Sequence, residues 1–178
     1  PPPPEVIFVP QPAPPEEEPE PDPLAQTFMV DDDSGVFITK VDIYFFSKSE
    51  NTPVLFEIRE TSLGTPENVV VPFSAVSLDP DDVNISEDGT VPTTITMRAP
   101  VFLEGGREYA MTLLSHSTDY RVWISRLGEP DVTTREQEAG QILVTEQPLL
   151  GSLFKSQNAS VWTPSQYEDL KFNLYVAN

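Results

Sequence analysis

Gly151-Ser-Leu-Phe-Lys-Ser-Gln-Asn-Ala-Ser-Val-Trp-Thr-Pro-Ser-Gln-Tyr-Glu-Asp-Leu-Lys-Phe-Asn-Leu-Tyr-Val176 reads as two strands around an aromatic turn. In its second half Leu170, Phe172, Leu174 and Val176 are apolar and project to one side, while Lys171, Asn173 and Tyr175 project to the other. That period of two belongs to a half-buried strand; an amphipathic helix would repeat its apolar residues every three or four positions.

Outward from this stretch the sequence keeps the same character. Strands are expected at 26–30, 36–46, 54–60, 69–76, 93–98, 108–116, 120–127, 141–145, 152–155, 161–163 and 169–176. Turn chemistry falls between them, at Asp33-Ser-Gly35, Leu63-Gly-Thr-Pro66, Asp88-Gly89, Glu104-Gly-Gly106 and Leu127-Gly-Glu-Pro130. Short strands punctuated by Gly and Pro, without an apolar stripe of helical length, predict an all-β, antiparallel, jelly-roll-like β-sandwich. The one helix expected is polar and short, at 133–140, capped by Asp131 or Thr133. No internal repeat points to a propeller or a solenoid. One inner face should comprise Val41, Ile43 and Phe45; Val54, Phe56 and Ile58; Tyr109, Met111 and Leu113; Val122 and Ile124; and Leu170, Phe172 and Leu174.

The sandwich is expected over residues 24–178, preceded by an extended Pro-rich arm over 1–23 that holds 11 of the 20 prolines and no basic residue. Proline fixes φ and donates no amide, so such a segment favours polyproline II, at about 3.1 Å per residue. Within it Glu5-Val-Ile-Phe-Val9 is a β-favouring patch that a pure spacer does not need. Val6, Ile7, Phe8 and Val9 are therefore either chance apolarity in a linker or a docking strand for a sheet edge. Because the sequence opens on Pro1, a piece of a longer polypeptide or a processed product is expected.

The chain has 178 residues, 29 acidic against 10 basic, a net charge of −19, one histidine and no cysteine. Disulfides and thiolate metal sites are excluded. Nucleic acid phosphates and anionic membrane surfaces would repel such a chain, so neither is an expected partner. Divalent cations and basic protein surfaces are compatible with it, and no apolar run approaches the roughly 20 residues of a membrane-spanning helix.

Four segments carry a resemblance: Asp22-Pro-Leu-Ala-Gln-Thr-Phe28, Phe37-Ile-Thr-Lys-Val-Asp-Ile-Tyr-Phe45, Val101-Phe-Leu-Glu-Gly-Gly-Arg-Glu-Tyr-Ala110 and the stretch quoted at the start. Together, over most of residues 22–176, they resemble a β-sandwich module of structural proteins of tailed bacteriophages, in baseplates, tails and fibre-associated parts. Such modules are known by their position, so the resemblance implies a place in a virion, assembled in the host cytoplasm, and no particular chemistry. It implies other virion proteins, or further copies of the chain itself, as partners.

Acidic loops are the candidate metal ligands. Asp79, Asp81, Asp82 and Asp88 lie along one loop and Asp31, Asp32 and Asp33 in another. Calcium takes about six to eight oxygens, which such loops can supply, although neither follows the EF-hand spacing. Solvated turns are the alternative reading, and no cofactor is expected otherwise.

Trp123, Trp162 and Tyr167 are the candidate interaction aromatics. Exposed, they would stack on sugar rings and make the chain a carbohydrate-binding adhesion module for a surface glycan; otherwise they are core plugs or protein-interface anchors. Catalysis is not expected. His116 stands between Ser115 and Ser117, but neighbours on a strand point apart, and no Gly-x-Ser-x-Gly element is present.

Overall fold

The computed structural model describes residues 23–126, 151–156, 161–165 and 168–177. These form fourteen strands: Leu24–Met29 (β1), Val36–Ile43 (β2), Phe45–Ser47 (β3), Val54–Ser62 (β4), Thr65–Val70 (β5), Val76–Leu78 (β6), Thr93–Leu103 (β7), Glu108–Ser115 (β8), Arg121–Val122 (β9), Ile124–Arg126 (β10), Leu153–Ser156 (β11), Trp162–Ser165 (β12), Glu168–Leu170 (β13) and Phe172–Val176 (β14). Among the described residues the only helical element is the 3₁₀ turn Pro80–Asp82. The expected arm, apart from Pro23, the turn at 127–130, the helix at 133–140 and the strand at 141–145 lie outside the described residues.

Every strand ladder is antiparallel. A seven-stranded sheet runs β12-β11-β1-β8-β4-β5, with β6 sharing the outer edge of β4, and a three-stranded sheet runs β14-β2-β7. One buried cluster draws on both sheets: Phe28, Phe56, Ile58 and Met111 from the larger, Ile38, Val41, Ile95 and Leu103 from the smaller. Each buried aliphatic or Phe side chain contributes about 1.5–3 kcal/mol by transfer, which offsets the cost of ordering the strands.

The expected inner face is found where it was placed. Val41, Ile43, Phe45, Val54, Phe56, Ile58, Tyr109, Met111, Leu113 and Leu170 are buried, and Val122, Ile124, Phe172 and Leu174 pack against them half-buried. Val176 departs from the alternation. The register shifts between Tyr175 and Val176, which leaves Val176 half exposed.

Three expected strands prove to be broken, at Tyr44, Trp123 and Lys171, and the breaks meet. The amide of Trp123 donates to the carbonyl of Tyr44 at 2.8 Å, and the amide of Lys171 donates to the carbonyl of Trp123 at 3.0 Å. Around this point β3 pairs with β9, β10 with β13, and β14 with β2. Each of the three segments thus pairs with one neighbour before its break and with the other after it. A strand has only two hydrogen-bonding edges, and changing partners at one shared point lets the chain pass between sheets without leaving amides unpaired.

Other boundaries differ from expectation as well. The strand expected at 69–76 begins earlier, at Thr65 within the expected turn, and is interrupted: β5 ends at Val70, Val71-Pro-Phe-Ser74 loops out, and β6 continues in the same direction along the same edge of β4. The strand expected at 93–98 runs on to Leu103. Its register against β2 jumps between Ile38/Val101 and Lys40/Thr96, and the surplus residues of β7 bulge there. The bulge accommodates Pro100, which has no amide to give to a regular ladder.

Candidate functional site

The three-strand junction is covered by the loop that carries the acidic candidates. Ser86 donates its amide to the Phe45 carbonyl at 3.0 Å, and Ile85 makes a parallel bridge to Phe45. The indole Nε1 of Trp123 donates to the Ser86 carbonyl at 2.9 Å, and the Lys171 ammonium donates to the Gly89 carbonyl at 2.6 Å. That ammonium also lies 4.6 Å from the centre of the Tyr44 ring. Gly89 adopts φ +70°, and a Cβ there would come within 3.1 Å of the Trp123 ring. Trp123 is half-buried and holds this loop, and its ring also supports Phe46 edge-to-face at 5.5 Å.

Asp79, Asp81, Asp82 and Asp88 are all exposed on this loop. Asp88 accepts the Thr90 hydroxyl at 2.6 Å and the Thr90 amide at 3.1 Å, bonds that hold its carboxyl below the usual range. Asp32 does the same with Ser34, whose hydroxyl and amide likewise hold its carboxyl low, while Asp31 and Asp33 are exposed beside it. Among the described residues no three acidic or histidine side chains gather in a group that could hold a metal ion.

Trp162 is buried in a second cluster with Ala25, Ala110 and Phe154, on the side of β1 and β8 away from the main core. The two alanines leave room for the indole. Its Nε1 has no partner among the described residues. Tyr167 and the segment Val6, Ile7, Phe8 and Val9 lie outside the described residues. His116 is exposed in the bend after β8. Ser115 donates to the Pro53 carbonyl and accepts the Ser117 amide, so its hydroxyl organises the turn.

A shallow groove of about 560 Å³ opens beside β3 and β9. One wall is Phe46 and the loop to Asn51, and the other runs from Thr118 to Arg121. Small hydroxyls fix both walls. Ser47 donates to the Asp119 carbonyl at 2.6 Å, which ties wall to wall, and Ser49 accepts the amides of Asn51 and Thr52. Ser117 accepts the Asp119 amide, and the Tyr120 hydroxyl donates to the Thr52 carbonyl. Burial, and then the charge of Asp79, push the Tyr120 phenol up, so it remains a donor at neutral pH. Lys48 spans from this loop to the carbonyls of Pro80 and Val83 at 2.7 and 2.9 Å.

The outer face of the three-stranded sheet is polar toward the junction and apolar toward its far end. Asp42 is buried and accepts the hydroxyls of Thr94 at 2.6 Å and Tyr175 at 2.7 Å; the bond to Asp42 pushes the Tyr175 phenol up. At the far end Phe37 and Phe102 face each other across β2 and β7 with ring centres 5.1 Å apart, each nearly half exposed.

The groove was not among the sequence candidates. One signal pointed to it: Phe45 and Phe46 are adjacent in a strand, so one of them must face away from the core. Phe45 is fully buried and Phe46 is 42% exposed.

No protein-family model matches this chain, and no curated protein matches it in sequence. Among the described residues no helix is long and apolar enough to cross a membrane.

Proposed function

We propose that this chain is a non-catalytic structural and interaction module of a phage virion, in the tail, baseplate or fibre-attachment apparatus. Its strands form a jelly-roll-like sandwich, and residues 1–23 form an extended Pro-rich arm that sets its distance from neighbouring parts. The partners are other virion proteins or further copies of the chain, with assembly in the host cytoplasm.

One observation carries this reading beyond the resemblance of the sequence. Strand β7 has a hydrogen-bonded neighbour on one side only among the described residues, and the outer face of its end displays the exposed Phe37–Phe102 pair. An unpaired edge beside exposed aromatic surface invites pairing, and a free protein would ordinarily cover or charge it. A neighbouring subunit supplies that cover.

Purified particles of the encoding phage test the reading. Peptides of this chain should be found by mass spectrometry in the tail fraction, and antibodies against the domain should decorate tail or baseplate in electron micrographs. Phe102→Asp should fold but fail to enter particles, and Phe8→Asp should do the same if residues 5–9 dock on a sheet edge. Particles that lack the chain altogether would reject the proposal.

A further inference from the structure

The groove beside β3 and β9 has a composition that neither the core nor the exposed sheet edge explains. Its walls are held by serine and tyrosine hydroxyls and by Lys48. The larger polar groups that line it are unspent: among the described residues, the carboxylates of Glu50 and Asp119 and the guanidinium of Arg121 make no hydrogen bond or ion pair. Asp119 and Arg121 stand two positions apart with opposite charges and do not pair with each other. Phe46 lines the groove with them, its ring backed edge-on by Trp123.

We propose that this groove binds a glycan, with Phe46 stacked on the C–H face of one sugar ring and Asn51, Asp119 and Arg121 bonding its hydroxyls. A sugar is amphiphilic in this way: an apolar face of C–H groups, rimmed by hydroxyls that both donate and accept. The groove offers one aromatic face, donors in Arg121 and the Asn51 amide, and acceptors in Asp119 and Glu50. An apolar ligand would leave those polar groups desolvated without partners, at a cost. An anionic ligand would meet two carboxylates and the field of a chain of net charge −19. The volume lies within the range of ligand clefts, roughly 300–1,000 Å³. Because the walls are fixed by their own bonds, binding orders side chains and not loops, which lowers its entropic cost. The site stands on the groove alone and does not depend on the virion reading.

The test uses the full chain on an array of bacterial lipopolysaccharide O-chains, capsular polysaccharides and neutral hexose oligosaccharides. Oligosaccharides that bind are then titrated by ¹⁵N nuclear magnetic resonance. The expected result is binding, with the largest shifts at residues 46–51 and 118–121. Asp119→Ala and Arg121→Ala, both at exposed positions, should each weaken it roughly tenfold or more while leaving the circular dichroism spectrum unchanged. Phe46→Ala should abolish it, and Tyr175→Phe, at a residue that does not line the groove, should not alter it. No binding by any array member, binding that shifts residues elsewhere, or full affinity in both Asp119→Ala and Arg121→Ala would each overturn the proposal. So would a groove that takes acidic or basic peptides and no oligosaccharide.

Discussion

The indole of Trp123 lies against Gly89, so close that a Cβ at residue 89 would sit 3.1 Å from its ring atoms. Gly89 also has φ +70°, a conformation that L side chains adopt at a cost of about 1–2 kcal/mol. Gly89→Ala therefore incurs both backbone strain and overpacking at the point where three strands change partners. The expected loss is about 2–4 kcal/mol, read as a lower urea midpoint with an unchanged m-value. A loss under about 0.5 kcal/mol would mean that the loop can lift off the junction freely.

The junction shows why part of the fold was legible in sequence and part was not. Val41, Ile43 and Phe45 keep a period of two straight through Tyr44, and Leu170, Phe172 and Leu174 do so through Lys171. Apolar periodicity reports which face is buried, and that face was read correctly. It carries no information about which strand accepts the backbone bonds on either side, because partner choice changes no side chain's face. The extension of β7 through Pro100 was hidden for another reason: proline within a run signals a stop, and only the bulge against β2 makes it tolerable. The groove escaped notice because its polar residues come from two loops some seventy positions apart, while Trp162 was visible as a large aromatic but its alanine-lined seat was not.

Gln26 joins the large sheet to the junction from inside the core. Its Nε2 donates to Asp169 at 3.1 Å, and its Oε1 accepts the Leu170 amide at 2.8 Å, with the side chain fully buried. Gln26→Met keeps the volume and strands the Leu170 amide without its acceptor. The expected loss is about 1–3 kcal/mol, with amide exchange at Leu170 accelerated more than at Ile58 in the sheet centre. Equal exchange changes at both positions would show that the bond has no local role.

Phe73 holds φ +68° at the third position of the turn Val71-Pro72-Phe73-Ser74, a place that favours glycine, and the residue is 63% exposed. Little packing is therefore lost on removing it. Phe73→Gly should be neutral or stabilising by up to about 1 kcal/mol, the relief of strain being partly offset by the greater freedom of glycine in the unfolded chain. Ser74→Ala in the same turn should cost about 1–3 kcal/mol, because the buried hydroxyl accepts the Ile58 amide at 3.1 Å and donates to Val71 at 2.6 Å. A destabilised Phe73→Gly variant would show that the exposed ring is held by contacts and not merely displayed.

Glu108 supplies the pH test. Partial burial at the start of β8 pushes its carboxyl up, against the smaller opposing effect of Thr61. A folded value above the unfolded one means that its favourable contribution is complete below the unfolded value and disappears as pH rises through the folded value. At neutral pH the fold therefore carries a partly desolvated charge that Glu108→Gln removes. The variant should have the higher urea midpoint at pH 7, and the advantage should shrink to nothing below about pH 4, where the native side chain is itself neutral. Asp32 and Asp88 act in the opposite sense. Their carboxyls are held low by Ser34 and Thr90, so their contributions are present above the ordinary aspartate value and lost as pH falls. Acid should then destabilise the wild-type domain through those two turns while relieving Glu108, and Ser34→Ala should flatten the acid limb without affecting the Glu108→Gln difference. A Glu108→Gln advantage that persists undiminished at pH 3 would mean that the carboxylate's charge is not what opposes folding at this position.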